Sequence, residues 1–185
     1  MDERKDLTKH LIAESLKELV KTTPFEKLTI KKITDQAGLI RPAFYRYFMD
    51  KYEAVEWIFR TEVMDEAELL LEHESSRSAL VYVFATIRKD REYYQKLFQI
   101  TGQNSIEESM RLAFAEAFQI MIEKAYEKKT MPDNPILSIE AIAKFRADMI
   151  TRYIREWVCN PKTDPTPDEL ADALIYMSTE PLIFT

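Results

Sequence analysis

Apolar residues recur at helical spacing along most of the chain. Leu7, Leu11, Ile12, Leu16, Leu19 and Val20 share one face, which predicts a helix over 6–21, closed by Thr22-Thr23-Pro24. Phe25 and Leu28 lead into a second, shorter helix. Its stripe is Ile30, Ile33 and Ala37, and Thr29 is placed to cap it. Gly38 follows where the helix must stop and the backbone needs a positive φ. A third segment, 41–48, carries Phe44 and Phe48 four residues apart, so both belong to one core-facing side. Asp50-Lys51-Tyr52-Glu53 is a capping box that opens a long helix to His73, with Val55, Trp57, Ile58, Phe59, Val63 and Met64 among its apolar positions.

The same period predicts helices over 76–88 (Leu80, Val83, Phe84, Ile87) and 91–100 (Tyr94, Leu97, Phe98). A second capping box at Ser105 opens a helix to Lys129, and Ser138 one to Val158. The stripe of the latter is Ala141, Ile142, Phe145, Met149, Tyr153 and Trp157. Thr166-Pro167-Asp168-Glu169 starts a last helix to Met177. Residues 101–104, 130–135 and 160–165 read as connections. No stretch alternates over a strand length. The expected fold is all-α, with a three-helix module containing a helix-turn-helix over 1–50 and a helical regulatory and dimerisation domain over 51–185.

Composition narrows the function. Of 185 residues, 46% are hydrophobic and 31% charged, which is a globular rather than a disordered balance. No apolar run approaches a membrane span and the start, MDERKDLTK, is not a signal peptide, so a cytoplasmic protein without membrane attachment is expected. The single Cys159 fits a reducing compartment. His10 and His73 have no partner at ligand spacing, so neither a metal nor a cofactor is expected. There is no Ser-His-Asp or Cys-His set and no Gly-rich phosphate loop, which argues against an enzyme. The net charge is −6, yet Lys27, Lys31, Lys32, Arg41, Arg46 and Lys51 cluster against only Asp35 and Asp50. A local basic patch on an acidic chain, placed on two short helices around a glycine turn, is the pattern of a DNA-reading helix-turn-helix.

The chain resembles the TetR family of transcriptional regulators. The resemblance lies in Phe25-x-x-Leu28-Thr29-Ile30-x-x-Ile33, Ala37-Gly38 and Phe44-Tyr45-Arg46-Tyr47-Phe48-x-Asp50-Lys51. Lys51-Tyr52 through Trp57-Ile58-Phe59, and Ile154-Arg155-Glu156-Trp157 before the last helix, are similar to a subgroup near the regulators of dihydroxyacetone kinase operons. The resemblance implies an all-α homodimer on a pseudo-palindromic double-stranded operator, with the two recognition helices roughly 34–36 Å apart. It puts Thr29 and Lys31 at phosphate and base contacts, Arg41 and Pro42 at the base-reading start of the recognition helix, and Tyr45, Tyr47 and Lys51 at phosphates. Arg46 belongs to the same surface. Ile40 and Ala43 depart from the pattern, where a polar cap and Thr are usual. A missing cap typically costs about 1 kcal/mol.

The resemblance further implies a repressor released by a small apolar or amphipathic ligand in the C-terminal domain. Phe98, Met110, Phe114, Phe118, Met149 and Tyr153 are the candidate pocket, being richer in Met and aromatics than packing requires. Tyr153, Trp157, Leu170, Leu174 and Met177 are the candidate dimer interface, although burial within one subunit produces the same pattern. The alternative keeps DNA binding but gives the C-terminal domain a protein partner, or dimerisation alone, in an activator.

Overall fold

In the computed structural model the described residues are 3–101, 105–126, 134, 136–160 and 162–179. Residues 102–104 of the connection expected at 101–104, most of that at 130–135, and the expected helical residues 127–129 lie outside them. Every described regular element is helical.

The N-terminal unit has three helices, α1 (Glu3–Thr22), α2 (Ile30–Gln36) and α3 (Arg41–Phe44), with a 3-10 turn at Phe25–Lys27. Thr29 caps α2 by accepting from the Lys32 N–H at 3.2 Å. Gly38 has φ +68°, the left-handed conformation that lets the chain turn sharply between α2 and α3. α3 is shorter than the expected 41–48. Ile40 offers no side-chain cap, and the turns that follow close by three-residue bonds, Arg46 N–H to Ala43 O and Tyr47 N–H to Phe44 O. Phe44 and Phe48 are both buried, as their spacing requires.

Asp50 opens α4 (Lys51–Phe59) by accepting from the Tyr52 and Glu53 N–H groups at 2.8 and 2.9 Å. Glu53 answers to the N–H of Met49, one residue before the cap. The expected single helix to His73 is continuous but not uniform. Residues Arg60–Met64 form a π-turn, in which the Asp65 N–H reaches the Arg60 carbonyl five residues back, and α5 (Asp65–His73) continues beyond it.

The remaining helices are α6 (Ser76–Lys89), α7 (Arg91–Leu97), α8 (Ile106–Tyr126), α9 (Ile139–Cys159) and α10 (Pro167–Thr179). Ser75, Ser105, Ser138 and Thr166 each accept from the N–H three residues on, the last three at the expected start signals. α8 packs along α9, α6 lies between α5 and α10, and α1 reaches past its own unit to α7. One connected core runs from Ile12 through Phe59 and Phe84 to Leu174, so motion of one helix is felt across the molecule.

Candidate nucleic-acid interface

α2 and α3 present one edge to solvent. Thr29, Lys31, Lys32, Arg41, Pro42, Tyr45 and Arg46 are all exposed on it, while Tyr47 is half-buried against the core. Seven of the eight expected contact residues are thus brought together on, or beside, one surface. Phe44 anchors α3 in the core, while Arg41 and Tyr45 on either side of it are exposed. Arg41 Nη2 donates to Tyr45 Oη at 3.2 Å, and its guanidinium lies 5.6 Å from the Tyr45 ring. That contact restrains a long side chain before any ligand arrives, which lowers the entropy lost on binding. Lys31 pairs with Asp35 at 2.6 Å, but both are exposed and such a pair exchanges readily for a phosphate.

Lys51 is placed differently from the phosphate-contacting role expected of it. Its ammonium turns inward and donates to the carbonyls of Phe25 (2.6 Å), Leu28 (3.0 Å) and Glu26 (3.3 Å), 4.6 Å from the centre of the Phe25 ring. All three N–H donors of the ammonium are spent on carbonyls at the end of the 3-10 turn, the segment that aims α2. Burial lowers its pKa below the ordinary lysine value. Lys51 therefore positions the reading edge by tying the start of α4 to the entry of α2.

A second cationic centre lies on α1. Lys17 on α1 is only 5% exposed. Its ammonium meets Asp90 at 2.7 Å, Glu62 at 2.9 Å and Glu14 at 3.3 Å. Burial opposes its charge, but the hydrogen bonds to Asp90 and Glu62 more than offset this and raise its pKa. Glu62 lies in the π-turn, and its carbonyl also accepts from Tyr82 Oη at 3.0 Å. One lysine thus joins the N-terminal unit, the connecting helix and the α6–α7 corner. The sequence did carry a signal: Lys17 lies at i+4 and i−3 from the inward-facing Ala13 and Val20.

The expected pocket and interface residues are placed elsewhere. Phe98, Met110 and Phe114 are closed into the core, and Phe118, Met149 and Tyr153 are half-buried against it. Trp157, Leu170 and Leu174 are core residues of the single chain, with Trp157 edge-on to Phe84 and Leu170 and Leu174 on the helix that packs on α6. Of the interface candidates only Met177 is largely exposed. A groove of about 770 Å³ opens instead between α4 and α8, lined by none of the six pocket candidates. No helix among the described residues is long and apolar enough to cross a membrane.

An exposed basic edge on a capped helix, a glycine turn and a buried aromatic anchor, followed by a long helix into a larger helical body, define a helix-turn-helix protein. Residues 12–56 match the family described as "Bacterial regulatory proteins, tetR family", and residues 74–180 match "Transcriptional regulator C-terminal region" of the same family. The chain belongs to the TetR family of bacterial transcriptional regulators.

A curated relative, the HTH-type dhaKLM operon transcriptional activator DhaS of Lactococcus lactis subsp. lactis (strain IL1403), is 27% identical over 97 residues. That match spans about half of each protein, 51% of this chain and 50% of the relative. Among solved structures, the dihydroxyacetone kinase operon activator DhaS superposes with TM-score 0.65 at 20% identity, covering 92% of this chain and 93% of that one. A putative TetR-family regulator from Syntrophomonas wolfei reaches 0.72 at 15% identity over 98% and 100%. NalD, the secondary repressor of the MexAB-OprM multidrug efflux pump in Pseudomonas aeruginosa, reaches 0.65 at 17% identity over 94% and 95%. These likenesses establish the fold and place the chain near DhaS.

Proposed function

We propose that the chain is a sequence-specific, non-enzymatic regulator of transcription. In this reading it binds a pseudo-palindromic operator as a homodimer through residues 1–50, and residues 51–185 dimerise and control it. The observation that carries the reading is the exposed Thr29–Lys31–Arg41–Tyr45–Arg46 edge, fixed from beneath by buried Phe44 and Phe48. Arg41 is the base reader, because a guanidinium at the start of a recognition helix can pair bidentately with guanine. Thr29, Lys31, Tyr45, Arg46 and the rim of Tyr47 hold phosphates, which fix register. Pro42 packs close to the base edges without donating.

The dimer face is the exposed apolar side of α9 and α10. Phe145 and Met177 are 71% and 53% exposed, and Ser178 Oγ on α10 contacts Met149 Sδ on α9 at 4.0 Å. An uncovered apolar face of this kind is what a second copy buries.

Occupying a promoter requires nothing beyond this geometry, which supports a repressor released by a ligand of the C-terminal domain. The match to DhaS, named as an activator, favours a second reading in which bound protein recruits transcription. Selection of DNA from a random pool by the full chain should return a two-fold symmetric site, and Arg41→Ala should lose about 1–3 kcal/mol of discrimination at one position of each half-site. Unchanged specificity in that variant would remove the recognition assignment. Deleting the chain from a strain carrying that site before a reporter separates the two readings, since expression rises for a repressor and falls for an activator.

A further inference from the structure

We infer that Ile40 reads the 5-methyl group of a thymine in the major groove of the operator. The inference rests on the DNA-reading assignment and deepens it, adding an apolar contact beside the base read by Arg41. Ile40 links the Gly38 turn to α3 and is 71% exposed, whereas Leu39 before it packs half-buried against the core. Its surroundings on the reading edge are polar: Thr29, Lys31, Lys32, Arg41, Tyr45 and Arg46 are all exposed there. Between Thr29 and Arg46 it is the only large aliphatic side chain left exposed. A docking surface for another protein needs a contiguous apolar patch, commonly several hundred Å². One isoleucine among cations is not such a patch, and the cations suit a polyanion.

The first turn of α3 leaves this position free of a capping duty. A cap accepts from the N–H two or three residues on. Two residues on is Pro42, which has no N–H, and three on is Ala43, whose N–H already donates to the Ile40 carbonyl at 2.8 Å. A Ser or Asn at position 40 would find neither of its usual donors free. The backbone before Ile40 is tied down, with the Leu39 N–H donating to the Thr34 carbonyl at 2.8 Å and the Gly38 N–H to the Asp35 carbonyl at 3.3 Å. A β-branched side chain on a held backbone has few rotamers to lose when DNA arrives. The base edges in the major groove offer hydrogen-bond donors and acceptors, and thymine adds the one methyl group. That methyl is the group in the groove against which an isoleucine can bury apolar surface. Because Ile40 immediately precedes Arg41, the thymine belongs to the base pair flanking the guanine that Arg41 reads.

Deoxyuridine differs from thymidine only by that methyl, so a uracil scan of the selected operator isolates the contact. Each thymine is replaced singly in a synthetic duplex, and binding of the full chain is titrated by fluorescence anisotropy. One thymine in each half-site, beside the guanine lost in Arg41→Ala, should show a drop of about fourfold on replacement, and roughly tenfold when both half-sites are changed. Ile40→Ser should bind the thymine and uracil duplexes alike while keeping the guanine preference, and Ile40→Val should retain most of the parent's difference. Position 40 is exposed, so circular dichroism should report intact folds for both variants. The inference is overturned if no thymine flanks that guanine, if the uracil scan is flat, or if Ile40→Ser responds to uracil as the parent does. It is equally overturned if Ile40→Ser alters reporter expression but neither affinity nor the uracil response, which would mean that the side chain meets a protein. A symmetric site with an Arg41-dependent guanine and a flat scan removes the Ile40 contact alone. Selection that returns no site removes the DNA-reading assignment beneath it.

Discussion

Lys17 shows how one buried charge can link two parts of a protein. Its ammonium stays charged in the interior because Asp90 and Glu62 surround it, and removing it leaves two poorly solvated carboxylates facing each other. Lys17→Met should therefore cost about 2–4 kcal/mol, read by urea unfolding, although methionine fills much the same volume. The linkage has a definite sign. Lys17 has a raised folded pKa, so its contribution is complete below the unfolded value near 10.4 and is lost as pH rises above it. Burial pushes the Tyr93 and Tyr94 hydroxyls well above their ordinary value, so the unfolded chain ionises first and stability again falls above about pH 10. Melting temperatures should hold from neutrality to about pH 9 and drop steeply beyond. Neither tyrosine hydroxyl has a hydrogen-bond partner among the described residues, so Tyr94→Phe should preserve or raise stability and soften the alkaline drop. Lys51→Ala should lower stability by about 2 kcal/mol and operator affinity together, because it releases the turn that aims α2. Lys31→Ala should lower affinity and its salt slope at unchanged melting temperature. The exposure of the candidate contact residues was legible because Arg, Lys and Tyr flank buried Phe at fixed spacing. The inward turn of Lys51 was not legible, since nothing local distinguishes an ammonium that meets phosphate from one that meets carbonyls.

At the scale of elements, the connecting helix is the informative one. Its buried residues are Ala54, Val55, Ile58, Phe59, Val63, Met64 and Ala67. Val55, Phe59, Val63 and Ala67 keep a regular step of four straight across the π-turn at Arg60–Met64. The π-turn is therefore not legible in the apolar spacing, which reads as one uninterrupted helix. The bulge rotates Glu62 toward Lys17 and frees its carbonyl for Tyr82. Deleting Thr61 should remove the extra residue that the π-turn absorbs, leave an unbroken α-helix with its flanking stripes in register, and break both contacts by turning Glu62 away. The expected result is a protein of undiminished helical ellipticity with a lower melting temperature and weak operator binding. Helix starts were the best-read feature, because a cap is a local bond between residues three apart. α3 ends earlier than its apolar spacing implies for the complementary reason: its end is set by three-residue turns onto Ala43 and Phe44 rather than by a stop signal in the sequence.

At the scale of the whole molecule, the difference between core and interface decides what the C-terminal helices do. α9 carries two apolar faces. Ala143, Ala147, Ile150, Ile154 and Val158 are buried within the chain, while Phe145 faces solvent. In sequence the two faces merge into one broad stripe, which is why Trp157, Leu170 and Leu174 were assigned to the interface and Phe98, Met110 and Phe114 to a pocket. Large apolar side chains have the same spacing whichever partner covers them, and only three-dimensional packing separates the cases. The distinction gives opposite expectations for two kinds of substitution. Trp157→Ala opens a hole beneath Phe84 and should cost about 3–5 kcal/mol within each subunit. Phe145→Asp, alone or with Met177→Asp, adds charge to a face that each chain leaves uncovered, so helical content and cooperative unfolding should survive. Sedimentation should then show a monomer where the parent is a dimer. Operator affinity should collapse in that monomer while short half-site DNA is still bound weakly, because each recognition helix is intact and only the second set of contacts is lost. A Phe145→Asp chain that remains dimeric and binds operator as the parent does would move the symmetric contact away from α9 and α10, and with it the geometry that sets the spacing of the two reading heads.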